Sequence, residues 1–254
     1  MELFDDLIRR TYRLLPSECL RFSPEEDTAP YTGKRSELIL GRETAFELGG
    51  GSFPSASGVL YTQSEELVPC DEIRVYGSDL PQIRGDCPFA RFAVIRTDDI
   101  EFQGEQGAYG ILENIGLRKY DVFPCGYMVR TCALSNREQV RVSKAAAAKY
   151  LSFAQVGSMY IQEFHKNPHV TGVRMIFVTL PDMDYRELDH LGTLSNQVFR
   201  ALNRALADLK MDCKACEWKI VCDEVEGIKL LHQSQIDKKK KKKTEGSHLE
   251  NIQN

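Results

Sequence analysis

The residues best suited to chemistry are three cysteines near the C-terminus, in the stretch Met211-Asp-Cys213-Lys-Ala-Cys216-Glu-Trp-Lys-Ile-Val-Cys222. The two-residue gap between Cys213 and Cys216 lets both sulfurs turn back onto one point, as a tetrahedral metal or an iron–sulfur cluster requires. Thiolates are soft ligands, so iron–sulfur and zinc are the leading guests. A closed site wants a fourth donor. The candidates are Cys125 and Cys132, remote in sequence, and His232 just downstream. Two plainer readings stand beside the metal: a redox or structural thiol pair, and inert cysteines that pack as small buried hydrophobes.

Other reactive types are less well arranged. His165 and His169 are four residues apart, but Pro168 between them prevents a shared helical face. They read as loop or core histidines sooner than as a zinc pair. Asp182, Asp184 and Asp189 precede or open a helix, where carboxylates complement the helix dipole. No Ser/His/Asp constellation has a recognisable nucleophile setting. The triplet Gly49-Gly50-Gly51 runs into Ser-Phe-Pro-Ser and not into a helix, so it reads as a turn. It does not fit the phosphate-binding or dinucleotide fingerprints.

Composition narrows the class. The chain has 254 residues, enough for one large or two small domains, and its 42% hydrophobic and 28% charged content is that of a soluble globular protein. No apolar run approaches the ~20 residues that cross a membrane. The acidic start Met-Glu-Leu-Phe-Asp-Asp does not read as a signal peptide, so a cytoplasmic protein is expected. Eight cysteines in that setting favour metal or thiol chemistry over a disulfide framework. Six of the 33 basic residues lie in the run Lys238–Lys243, so the rest is more acidic than the net charge of −4 suggests. An acidic body argues against nucleic-acid binding, which needs a basic face. The lysine run reads as a solvated, self-repelling tail, with a tether to nucleic acid or an acidic partner as the alternative.

The positioning elements follow from periodicity. Apolar positions from Leu3 to Leu15 have helical spacing, and Ser23 to Thr32 reads as a loop. Glu72–Gly77 and Phe89–Ile95 read as strands, and Gln106–Tyr120 as a helix. Val122–Leu134 is open between strand and loop. Ser143–Leu151 is a helix with Ser143 as its N-cap, Val156–Phe164 is a further helix, and Val173–Leu180 is a buried strand. Leucines and Val198 recur every three or four residues from Asp182 to Lys210, giving a long core-facing helix that leads into the cysteine stretch. Val225–His232 reads as a short closing helix. The mixture predicts an α+β fold: one mixed domain with a helical, cysteine-rich C-terminal segment. The expected divisions are residues 1–40 (helix and linker), 41–181 (α+β domain), 182–236 (long helix and cysteine segment) and 237–254 (tail).

Four stretches also carry a likeness: Ala45-Phe-Glu-Leu-Gly-Gly50, Glu72-Ile-Arg-Val-Tyr-Gly-Ser-Asp-Leu-Pro-Gln-Ile83, Arg141-Val-Ser-Lys-Ala145 and Val173-Arg-Met-Ile-Phe-Val-Thr179. In this order the region Thr44–Leu180 resembles the middle region of the acetyl-CoA synthase subunit of carbon monoxide dehydrogenase/acetyl-CoA synthase. The resemblance implies an α+β domain concerned with coenzyme A, placed before cysteines that hold an iron–sulfur cluster with nickel. It also implies corrinoid or carbon monoxide dehydrogenase-type partners in anaerobic one-carbon metabolism. Cys213, Cys216 and Cys222 stand in roughly the corresponding place. Arg130, Arg137, Arg141 and Lys144 are the candidates for the phosphates of coenzyme A, which guanidinium groups suit. The family's cluster motif has longer gaps and four cysteines in one run, and a large domain follows it. Gln139 stands where the family has an aromatic residue, and the sole tryptophan, Trp218, lies in the cysteine stretch. The expectation is an acetyl-CoA-synthase-like acyltransferase relative that is incomplete alone. The alternative is a non-catalytic accessory, electron-transfer or docking protein with a structural zinc or iron–sulfur site.

Overall fold

The longest apolar runs in the sequence become adjacent strands of a five-stranded sheet, and the other elements are arranged around them. The computed structural model describes residues 4–33, 35, 37–41, 43–98, 107–131 and 137–206. In chain order the elements are α1 (Asp5–Leu14), β1 (Leu20–Phe22), β2 (Ala45–Leu48), β3 (Ser55–Thr62), β4 (Glu72–Tyr76) and β5 (Phe89–Thr97). Next come α2 (Gly107–Leu117), β6 (Tyr127–Thr131), β7 (Glu138–Ser143), α3 (Lys144–Lys149), α4 (Phe153–His165), β8 (Val170–Val178) and α5 (Tyr185–Leu206). The fold is α+β, as the mixed pattern predicts. The chain divides into two units, Met1–Asn196 and Gln197–Asn254; in the second, the described residues are the final turns of α5.

The main sheet has the order β1-β4-β8-β5-β3. β4 lies parallel to β8 and β3 parallel to β5, while β5 and β8 run antiparallel. Strands covered on both faces read as continuous apolar runs, which is why β5 and β8 are so visible in the sequence. One face packs against α4. There Phe153 stacks on Phe177 with ring centroids 4.6 Å apart, and Gly157 lets the helix approach so closely that an added Cβ would meet Ile73 Cγ1 at 2.7 Å. The opposite face meets α1 and the first half of α5. Thr62 donates to Asp5 at 2.7 Å, Ser195 donates to the Val59 carbonyl, and Gly58 faces Gly192.

A second, antiparallel sheet has the order β2-β7-β6. It joins the main sheet through residues before β5: Gly49 N–H donates to the Cys87 carbonyl at 2.8 Å, and Cys87 N–H to the Glu47 carbonyl at 3.1 Å. The chain then turns at Gly49, whose φ of 64° and closeness to Ser55 suit only glycine. Along β7 the residues Glu138, Val140 and Val142 are buried, and Gln139 and Arg141 alternate with them.

Several expectations are refined. Ser143 does cap α3, accepting from Ala146 N–H at 3.4 Å. Asp184 accepts from Glu187 N–H at 3.0 Å and so caps α5. The ambiguous stretch 122–134 supplies strand β6. β1, β2, β3 and β7 lie where no strand is predicted. Residues 207–254, which include the cysteine stretch, the expected closing helix and the lysine run, lie outside the described residues.

Candidate functional site

The two faces of the small sheet carry charged side chains of different character. On the outer face, Arg141 Nε donates to Glu47 Oε1 at 2.9 Å, and its Nη2 bonds the same oxygen. Arg141 Nη1 donates to the Ile39 carbonyl at 2.9 Å. Arg130, 52% exposed, brings a second guanidinium within 3.8 Å of Glu47. The register explains the meeting, since Glu47 lies opposite Arg141, and Arg130 sits on the far side of Arg141's strand. Lys144 follows β7 and donates to the Glu43 carbonyl at 3.0 Å. Arg137 precedes β7 and donates to the Phe53 carbonyl at 3.2 Å. The structure thus gathers Arg130 and Arg141 on one carboxylate, with Lys144 at the end of β7, while Arg137 is engaged at the start of that strand. Arg137 also faces Asp189 of α5. There burial raises the carboxyl pKa and Arg137 partly offsets it.

On the inner face, Glu138 is 2% exposed and accepts from Arg91 Nη2 of β5 at 2.5 Å. The Arg91 guanidinium carbon lies 4.1 Å from the centroid of the Tyr160 ring of α4, a cation–π stack. Burial opposes the charge on Arg91, but the Glu138 carboxylate outweighs it and holds the guanidinium above the ordinary arginine pKa. Burial pushes Tyr160 up to about 12 and raises Tyr127 well above the usual phenol, so both phenols are neutral at physiological pH. Four buried atoms in this region have no hydrogen-bond partner: Arg91 Nη1, Glu138 Oε1, Tyr127 Oη and Ser55 Oγ. Native proteins leave few such atoms unpartnered, and ordered water is the usual partner where the protein supplies none.

Of the sequence-predicted metal ligands, Cys125 is described and is a half-buried free thiol. Its N–H donates to the Tyr31 carbonyl at 2.9 Å, and its sulfur lies beside Gly33. Among the described residues no three His, Cys, Asp or Glu side chains gather as a metal site. Cys132, Cys213, Cys216, Cys222 and His232 lie outside the described residues. His165 and His169 do not converge: His165 Nε2 pairs with Asp71 at 2.9 Å, and His169 Nδ1 with Asp98 at 2.9 Å. Cys87 is a poor nucleophile, its thiol pushed up to about 11 by burial and by Asp86.

Sequence reasoning missed Arg91, Glu138 and Tyr160. A signal for the first was present, because Arg91 interrupts the apolar run Phe-Ala-Arg-Phe-Ala-Val-Ile at a position that a covered strand must bury. A buried arginine needs a carboxylate partner. Nothing in the sequence indicates that the partner lies 47 residues away on another sheet. No protein-family model matches the chain, and no curated protein matches it.

Proposed function

We propose that the chain is an acetyl-CoA-synthase-like protein. In this reading its α+β domain offers the outer face of the small sheet to coenzyme A, and Cys213, Cys216 and Cys222 hold an iron–sulfur or related metal centre, with or without nickel. The observation that carries the reading is how the four resembling stretches meet. The first pairs with the third, β2 along β7, and Glu47 and Arg141 are bonded across 94 residues. The second pairs with the fourth, β4 along β8, and Glu72 accepts from Arg174 across 102 residues. Stretches remote in sequence are thus partners in space, and the reading treats them as parts of one framework.

Arg130 and Lys144 supply the exposed charge for phosphate oxygens on that face, and Arg141, fixed by Glu47, would set its geometry. The three thiolates suit iron and nickel as well as zinc, and such a centre, when bound, supplies electron transfer or a Lewis acid. Partners of the corrinoid or carbon monoxide dehydrogenase type follow from the same reading. Elemental analysis and an absorption spectrum of anaerobically prepared protein, with a coenzyme A titration by calorimetry, test it. Iron or iron plus nickel, a broad visible band, and binding heat weakened in Arg130→Gln are expected.

A second reading is favoured by the bonds of Arg137, Arg141 and Lys144 to the protein's own carbonyls. Here the domain is an accessory or docking module, and zinc or an iron–sulfur group staples the cysteine segment. Colourless protein that carries zinc alone and gives no heat with coenzyme A selects this reading over the first.

A further inference from the structure

We propose that a narrow cleft beside Arg91 is a binding site for one end of a small oxyanion, a carboxylate or a phosphate. The site is separate from the outer face discussed above. The cleft measures about 10 Å³ and is lined by Ser57, Arg91, Lys119, Tyr160, Phe164 and Met175. That is room for a single water-sized group, so one oxygen enters and the remainder of the ligand stays in the mouth.

Three observations give the cleft its preference. Arg91 is buried and spends Nη2 on Glu138, while its Nη1 has no hydrogen-bond partner. Lys119, in the turn after α2, rests its Nζ 5.0 Å from the Tyr120 ring centroid and makes no ion pair among the described residues. Around these, Arg118 and Lys166 both pair with Glu163 of α4. Arg118 and Lys166 are thus matched to Glu163 and Arg91 to Glu138, while Lys119 is the cation lining the cleft that has no carboxylate partner among the described residues. A guanidinium held in place by a carboxylate behind it and a ring beside it has lost its conformational freedom before a ligand arrives. Binding to such a group sacrifices little entropy. Tyr160 lines the same wall.

The test uses the full chain and two probes, sodium phosphate and sodium acetate, each titrated against sodium chloride at equal ionic strength while Tm is followed. A saturable rise in Tm with either probe, lost in Lys119→Glu, supports the proposal. Phosphate alone identifies a phosphate end, and acetate alone a carboxylate end. The double variant Arg91→Gln/Glu138→Gln, which leaves no unpaired buried charge, is expected to lose the rise as well. Tm that follows ionic strength alone overturns the proposal, as does a saturation curve unchanged in Lys119→Glu. A phosphate effect that disappears in Arg130→Gln and persists in Lys119→Glu places the ion on the outer face and equally overturns it.

Discussion

Arg91 on β5 and Glu138 on β7 form a buried ion pair, 2.5 Å between Nη2 and Oε2, that links the two sheets of the domain. Both charges are out of water, so neither tolerates loss of the other. Glu138→Leu or Arg91→Met alone is expected to destabilise by ~3–5 kcal/mol, because each strands a buried charge. The double variant Arg91→Met/Glu138→Leu should recover most of that loss. Urea denaturation of the four proteins checks the cycle, and additive losses would refute the coupling.

Gly157 sits where α4 presses on β4. Alanine favours a helix over glycine by ~1 kcal/mol, yet its Cβ would meet Ile73 at 2.7–3.0 Å. Overpacking of this kind costs ~1–3 kcal/mol, so Gly157→Ala is expected to destabilise. In an Ile73→Ala background the clash is gone, and the same substitution should become stabilising. Thermal melts of the two pairs would reveal the reversal of sign.

His165 closes α4 against Asp71, which also accepts from Val173 N–H at 2.8 Å. The hydrogen bond to Asp71 raises the His165 pKa above its ordinary value of 6.5, against the effect of burial. A raised folded-state pKa stabilises fully below 6.5, and the contribution fades as pH climbs through the folded value. The stability gap between the native protein and His165→Gln should therefore be widest near pH 5.5 and smallest at pH 8. Chemical denaturation across that range tests this; a gap independent of pH would rule it out.

The proposed thiolate ligands give a sharp expectation. Cys213→Ser, Cys216→Ser and Cys222→Ser should each lose bound metal, since a hard hydroxyl replaces a soft thiolate. Metal per chain after anaerobic purification decides the matter. Full retention in all three variants would contradict the proposed ligands.

The parts of the fold legible in the sequence were those whose burial is local and one-sided in chemistry. β8 and β5 announced themselves as apolar runs, Ser143 as a cap, and α5 by its leucine spacing. β3 was hidden because it opens Ser-Ala-Ser-Gly; Gly58 sits mid-strand since the Phe92 ring and Gly192 already occupy its space. β7 was hidden because Glu138, the residue that should mark a solvent face, points inward to Arg91. The basic cluster was legible as a set of charges, but not the pairing of Arg141 with Glu47, which depends on strand register. Residue types can be read along a chain, whereas the partner that makes a buried charge tolerable is a property of topology.

β8 is the last strand among the described residues and the middle one in the main sheet. Until it exists, β1 with β4 and β3 with β5 are two half-sheets that share no strand pairing. Translation at roughly 5–20 residues per second leaves the inner edges of β4 and β5 open for seconds before Val170–Val178 emerges. Open strand edges are templates for pairing with other molecules. The nascent chain is therefore most vulnerable to aggregation between the emergence of β5 and that of β8, and a product stopped short of Val170 keeps both edges permanently.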